Sequence, residues 1–166
     1  LLHGRLGFEV TAFRIDARDM IQVVPVEGNP AGMNRNTGEF TNKGIEVALR
    51  YRVREGLDFS GTYSYLDTSK PMLASPKHMA WLEGVWNIGR FTLSANLHYV
   101  DGLYTAPGKD PVTENYFLLH ARAGYRVNRW LSLSLTGENL TDTGYSINAG
   151  FPMPGATVLG GVPSSF

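Results

Sequence analysis

Apolar and polar residues alternate along most of this chain with a period of two, the pattern of a strand with one apolar face. Phe91, Leu93, Ala95, Leu97 and Tyr99 fall on one side, Thr92, Ser94, Asn96 and His98 on the other. The same alternation runs through 45–53, 57–65, 117–127, 131–138 and 156–166. Two segments are less regular. Residues 78–88 carry Ala80, Leu82, Trp86 and Ile88 on one face, but Met79, Trp81 and Val85 on the other. Residues 5–16 begin with Leu6, Phe8 and Val10 in even phase and then switch to Phe13 and Ile15, as a bulge or an exit from a membrane would do. The pattern predicts eight strands and almost no helix.

Several runs are ten residues or longer, whereas strands of soluble proteins average roughly five to six and a strand crossing a bilayer needs about 9–11. The connections alternate in length. Short ones fall at 54–56, 89–90 and 128–129, long ones at 17–42, 68–76, 102–114 and 141–154. Short turns at one end and long loops at the other are the habit of outer-membrane barrels, and this parity sends the last strand down to the short-turn end. Phe59, Trp86, Phe91, Tyr125 and Trp130 lie near the short turns, Tyr65, Tyr99 and Phe117 near the long loops, as two interfacial aromatic girdles.

Composition narrows the field. The 166 residues carry 15 basic and 15 acidic side chains, which argues against a nucleic-acid partner. There is no cysteine, so disulfides and thiolate metal sites are excluded. No run of 18 apolar residues offers a transmembrane helix. The chain starts without an initiator Met or a signal peptide, abruptly before a strand, and is expected to be part of a longer protein.

Alternation by itself leaves open which face points inward. The polar one carries Glu46, Arg50, Arg52, Asp58, His98, His120, Arg122, Arg126 and Glu138. Strand length and loop parity favour an apolar face toward lipid and a polar face toward a lumen. Catalysis finds no support. His3, His78, His98 and His120 form no ligand pair of metalloprotease spacing, and no Gly-x-Ser-x-Gly elbow is present. No metal site and no cofactor are expected. His98, His120 and Arg122 share the polar face and are candidates for lumen-side ligand contacts. Asp101, Lys109, Asp110 and Glu114 read as solvated loop charge.

The C-terminal third carries the more specific signal. It reads Asn139-Leu140-Thr141-Asp142-Thr143-Gly144-Tyr145, then Pro152-Met153-Pro154-Gly155-Ala156, and ends on Phe166. This resembles the closing strands of TonB-dependent outer-membrane receptors, with an Asn-Leu-x-Asp-x-x-Tyr turn, a Pro-x-Pro-Gly-Arg opening of the last strand and a terminal aromatic residue. Lys43-Gly44-Ile45-Glu46 and Ser75-Pro76-Lys77-His78 resemble strand openings of the same family. Two departures are Ala156 in place of Arg and Pro163 inside the last strand, where it removes a ladder donor.

The resemblance implies the C-terminal part of a transmembrane antiparallel barrel of about 22 strands, without its plug domain, in the outer membrane of a Gram-negative bacterium. It implies active uptake of a scarce nutrient such as an iron–siderophore chelate, with outer-membrane lipid and the barrel-assembly machinery as partners. TonB would act through a part of the protein outside this sequence. Asn139, Leu140, Asp142, Tyr145, Pro152, Pro154 and Gly155 then belong to the motif, and Phe166 to the assembly signal. Loops of this family capture ligand, which makes Asn34, Arg35 and Asn36 candidates in the 17–42 loop. The alternative is a self-contained eight-stranded structural or adhesin-like barrel. A small-barrel enzyme and a soluble lipocalin-like binder rank below it.

Overall fold

A computed structural model of the chain describes residues 4–26, 29–70, 72–106 and 112–162. His3, Lys109, Asp110, Pro163 and Phe166 lie outside the described residues. The elements are β1 (Leu6–Val26), β2 (Asn29–Arg54), β3 (Leu57–Thr68), β4 (His78–Ile88), β5 (Phe91–Ala106), β6 (Val112–Arg126), β7 (Ser132–Glu138), β8 (Ser146–Asn148), β9 (Phe151–Pro152) and β10 (Thr157–Gly161). Eight of them make one antiparallel sheet in the order β1-β2-β3-β4-β5-β6-β7-β10, and β8 pairs with β9 in a small separate hairpin. No helix of the described residues is long and apolar enough to cross a membrane.

Every step of the main sheet is antiparallel, so residues paired across strands share a face. The apolar set Phe8, Leu49, Gly61, Leu82, Leu97 and Leu119 forms one continuous row. The row on the opposite face reads Gly7, Arg50, Ser60, Glu83, Asn96 and His120. Both faces therefore extend unbroken over at least six strands. The apolar side chains are not a core: Phe8 is 68% exposed, Leu135 56% and Val158 64%. A sheet that presents so much contiguous apolar surface needs lipid or another apolar partner against it. A soluble lipocalin-like fold would bury that face instead.

Local chemistry explains the short turns. Gly56 takes φ +77° between β2 and β3, and Gly89 takes φ +59° between β4 and β5, both costly for any residue with a Cβ. Between β6 and β7 the Asn128 Oδ1 accepts the Trp130 and Leu131 amides at 2.8 and 3.0 Å, an Asx turn. Girdle aromatics pair across strands. Phe91 and Tyr125 rings lie 4.8 Å apart, and Tyr99 stands opposite Phe117. Phe59 leans across β4 at Gly84, where a Cβ would come within 2.9 Å of its ring.

Three expectations change. The phase switch in 5–16 is not a bulge, because pairing runs in step from Leu6–Tyr51 to Ala17–Phe40. Phe13 and Ile15 simply lie on the polar face, with Phe13 filling the space over Gly44. The bulge comes higher, between Ala17 and Met20, where Asp19 has φ +56°. In the segment 17–42 the apolar run Met20–Val26 extends β1, as its residues suggest, and Asn29–Asn36, which reads as a polar loop, is strand too; the two form the outer end of a hairpin whose arms are 21 and 26 residues long. Likewise β5 and β6 reach to Ala106 and back from Val112, consuming most of the loop expected at 102–114. Polar residues in those segments hid strands that need no apolar face once they leave the bilayer. The β8–β9 hairpin was not expected at all, being too short to show periodicity.

Among the described residues β1 pairs only with β2, and β10 only with β7. The eight strands thus do not close on each other, which removes the self-contained eight-stranded barrel.

The face assignment makes a paired prediction. Leu97→Arg in the intact protein should lower stability in a bilayer by about 2–4 kcal/mol, the cost of a cation at mid-depth on the lipid side. Asn96→Arg, one residue away on the opposite face, should cost far less. Urea titrations of the two variants in lipid vesicles check the order, and equal losses would overturn the assignment.

Candidate functional site

Above the middle of the polar face, four strands bring the candidate side chains together. Trp81 of β4 stands opposite His98 of β5, Asn96 opposite His120 of β6, and Ser94 opposite Arg122. Arg122 in turn faces Thr136 of β7. With Glu83 and Glu138 these residues line a groove of about 500 Å³. Sequence reasoning placed His98, His120 and Arg122 on one face, and the structure places them in this one groove. His98 and His120 are diagonal neighbours, each flanked by different partners. The His98 ring meets Tyr116 edge-on at 6.0 Å. Nδ1 of His120 accepts the Asn139 amide at 3.4 Å. Among the described residues no group of three or more His, Cys, Asp or Glu side chains is arranged to hold a metal ion. The groove offers two imidazoles, a guanidinium, an amide, an indole and two carboxylates, a surface for hydrogen-bonding a polar ligand or a neighbouring polypeptide.

Asn139 ends β7 and organises the whole connection to β10. It is 3% exposed and takes φ +47°, a conformation that asparagine tolerates better than most residues. Its Nδ2 donates to the carbonyls of Thr143 at 2.9 Å and Pro154 at 3.1 Å. Its Oδ1 accepts the Thr143 amide at 3.0 Å and the Thr141 hydroxyl at 3.1 Å. One side chain thus ties the start of the connection to its end. Asp142, at φ +50°, adds a second tie by accepting the Ala156 amide at 2.9 Å. A Cβ at Gly155 would stand 2.5 Å from that carboxylate oxygen, which is why glycine precedes Ala156. Leu140 donates its amide to the Leu119 carbonyl at 2.8 Å and lays its side chain over Gly137. The Thr143 hydroxyl donates to the Phe117 carbonyl at 2.9 Å, and Thr141 shares its one proton between that carbonyl, at 3.2 Å, and Asn139 Oδ1. The motif residues Asn139, Leu140, Asp142, Pro154 and Gly155 therefore make one hydrogen-bonded knot. The side chain of Ala156 takes no part in it, so the departure from Arg at that position leaves the knot intact.

Tyr145 extends the knot inward. Its ring lies 4.4 Å from that of Tyr116, on the polar face, and packs against the buried cluster Val100, Leu103, Tyr116 and Leu118. The Met153 amide donates to the Tyr145 carbonyl at 2.9 Å, and the Ala149 amide to the Thr105 carbonyl at 3.0 Å. The connection is thus strapped across β5 and β6 instead of standing free. Sequence reasoning missed this cluster. Its signals were Leu118, an apolar residue in the polar phase, and Gly102, whose φ of +66° accompanies the register shift that turns Leu103 inward. Pro152 lies in β9 and is exposed.

The remaining candidates are elsewhere. Asn34, Arg35 and Asn36 are exposed on the outer part of β2, opposite Val23, Gln22 and Ile21 of β1, and do not reach the groove. The base of their hairpin is tied on the opposite, apolar side. Arg14 donates to Asp16 through Nε at 2.9 Å and Nη2 at 3.0 Å, and the Thr41 hydroxyl of β2 donates to the same carboxylate at 2.7 Å. The Arg14 and Thr41 donors hold the Asp16 carboxyl below its ordinary value of 3.8.

Two predictions come from these ties. Asn139→Ala leaves the Thr143 and Pro154 groups without their partner, a loss of about 2–3 kcal/mol, and should speed amide exchange at Thr143. Asn139→Gly keeps the backbone conformation and removes the same bonds. A loss in Ala but not in Gly would mean that only the conformation matters. For Asp16 the lowered folded pKa means its contribution is complete above pH 3.8 and disappears as pH falls through the lowered value. Amide exchange at Thr41 should therefore rise only in that acid range, and Asp16→Asn should abolish the dependence.

Comparisons with known proteins agree with this geometry. A family model described as TonB dependent receptor-like, beta-barrel matches residues 1–140. The catecholate siderophore receptor Fiu of Escherichia coli K12 is 26% identical over 167 aligned positions, covering 89% of this chain and 21% of that protein. The metal-pseudopaline receptor CntO of Pseudomonas aeruginosa is 29% identical over 96 positions, covering 52% of this chain and 13% of that one. The crystal structure of the siderophore receptor PiuA from Acinetobacter baumannii superposes with a TM-score of 0.75 at 23% identity, over 98% of this chain and 26% of that one. The chain thus spans between about an eighth and about a quarter of the length of the proteins it matches.

Proposed function

Because this chain belongs to the TonB-dependent receptor family of Gram-negative outer-membrane β-barrels, we propose that it is the C-terminal wall of a receptor that takes up a metal chelate of the siderophore type. The family is one of receptors and transporters rather than enzymes. The observation that carries the reading is the division of the sheet into an unbroken apolar face and an unbroken polar face with all long connections at one end. In the receptor the apolar face meets lipid and the polar face lines the lumen. The short turns lie in the periplasm, and the β1–β2 hairpin and the strapped β7–β10 connection face outward.

Among the described residues β1 pairs only with β2 and β10 only with β7, and these open edges support a larger barrel. In a bilayer the backbone groups of an open edge have no water to satisfy them, so further strands must close the sheet. A barrel of about 22 strands has a lumen wide enough to require a plug, and TonB would act on the receptor through that plug. Phe166, outside the described residues, remains the candidate signal for the assembly machinery. All three of the matched proteins reported above carry a siderophore or a metal-pseudopaline in their names, and the polar groove around His98, His120 and Arg122 supports a polar cargo. Asn34, Arg35 and Asn36 are placed for first contact with it on the outer hairpin.

Deletion of the intact gene should abolish energy-dependent uptake of ⁵⁵Fe presented as a tris-catecholate complex by iron-starved cells, and re-expression should restore it. Uptake that survives deletion, or that persists after the proton gradient is collapsed, would overturn the reading.

A further inference from the structure

A bulge in β2 decides on which side of the wall one arginine falls. Arg50 and Arg52 stand on the polar face, opposite Ser60 and Asp58 of β3. In unbroken register Arg54 would follow them, because residues two apart share a face. The register shift between Arg52 and Arg54 instead sets Arg54 opposite Leu57, whose row continues through Trp86 and Leu93 on the lipid-facing side. Its guanidinium lies over the Trp86 ring, 5.7 Å from the centroid. The β6–β7 turn repeats the pair: Arg129 lies 4.7 Å from the centroid of Trp130, which is 58% exposed. Two of the chain's three tryptophans thus carry an arginine, both at the short-turn end. Strands β2 and β6 end at Arg54 and Arg126, so both pairs sit at the lower limit of the sheet, where Phe91 and Tyr125 close the apolar band. Charge is unbalanced there. Turn residues 54–56, 89–90 and 128–129 hold Arg54, Arg90 and Arg129 against one carboxylate, Glu55. Neither Arg54 nor Arg129 has an ion-pair partner among the described residues. Above the upper girdle the same face is balanced: Arg14 is paired with Asp16, and Lys43 stands opposite Asp67.

We propose that the Arg54–Trp86 pair, repeated by Arg129–Trp130, is a seat for the phosphate of an anionic phospholipid in the leaflet next to the short turns. The inference rests on the membrane orientation given above, not on the cargo, and adds a lipid class as a partner. An indole belongs at headgroup depth, with its apolar body among acyl chains. A guanidinium over its face is held by the ring quadrupole, which consumes no N–H donor. The planar fork of donors therefore stays free for two oxygens of one phosphodiester. The excess of arginine over Glu55 selects the headgroup. Phosphatidylglycerol brings a phosphate alone, whereas the ammonium of phosphatidylethanolamine meets the same positive field with the wrong sign.

The test uses the complete receptor, purified in detergent and titrated with phosphatidylglycerol or phosphatidylethanolamine of identical acyl chains. Native mass spectrometry counts the lipids retained and gives an affinity for each. The unmodified receptor should retain phosphatidylglycerol preferentially. The double variant Arg54→Gln, Arg129→Gln should weaken that lipid about fivefold for each arginine removed, the scale of attraction between one surface cation and anionic lipid, and leave phosphatidylethanolamine unchanged. Glu55→Gln should act in the opposite direction and tighten phosphatidylglycerol, a gain that no folding defect can mimic. The proposal is overturned by a receptor that does not distinguish the two lipids, by a Gln double variant that keeps the preference, by equal loss of both lipids, or by a Glu55→Gln variant that shows no gain. The rival occupant is the acidic polymer of the cell wall. In that case the double variant would keep its lipids and instead fail to sediment with isolated cell walls, and that result also overturns the proposal. Lipid retention is read without cargo, so its failure is distinct from failure of the uptake reading, which the gene deletion decides.

Discussion

A backbone inside a bilayer has no water to bond with, so every N–H and C=O must find its partner in another strand. That constraint dictates the antiparallel ladder, and the ladder dictates the rest. Once pairing is in step from Leu6–Tyr51 across to Ala121–Gly137, the side-chain period of two sorts the whole sheet into two faces. A slip of one residue at any hairpin would carry Arg50 or Glu83 into lipid and Leu97 into the lumen. The tight turns guard against that slip. Gly56 and Gly89 at positive φ and the Asx turn at Asn128 each admit one loop length.

The constraint is relaxed where the strands leave the membrane, and the structure changes character there. One register shift, at Arg52–Arg54, lies beside the short β2–β3 turn, and those at Ala17–Met20, Val24–Val26 and Val100–Leu103 lie toward the long-hairpin end. The small buried cluster of the described residues, Val100, Leu103, Tyr116 and Leu118, lies at that end too. It is built on the polar face, where an apolar patch can form only because Tyr145 and the strapped connection cover it. Packing in the water-soluble sense thus begins where lipid ceases to hide apolar side chains.

What was legible in the sequence followed the same division. The membrane-crossing alternation of 91–99 and 117–125 showed its faces plainly, because both lipid and lumen act on each residue there. Strand ends at Ala106, Val112 and Asn29 were illegible, since a strand in water can be polar on both sides. Asn139, Asp142 and Gly155 were readable as a family motif, but their physical role was not. That role is a meeting of residues 15 positions apart, with Asn139 Nδ2 reaching the Pro154 carbonyl. No local pattern carries such information. The groove of His98, His120 and Arg122 was readable as a shared face, and its indole, Trp81, as part of the irregularity that spoiled the alternation of 78–88.

The contact between His120 and Asn139 joins the two halves of this description. His120 belongs to the lumen wall, in the row that runs through Asn96, Glu83 and Arg50. Asn139 belongs to the knot that holds the outward-facing strap. Their hydrogen bond is long at 3.4 Å, and it needs the imidazole Nδ1 as an acceptor. The backbone of Asn139 has few alternatives, because its conformation at φ +47° is held by the four bonds of its own side chain. The His120–Asn139 pair thus adds a side-chain link between wall and strap to the backbone ties at Leu119, Phe117 and Thr105.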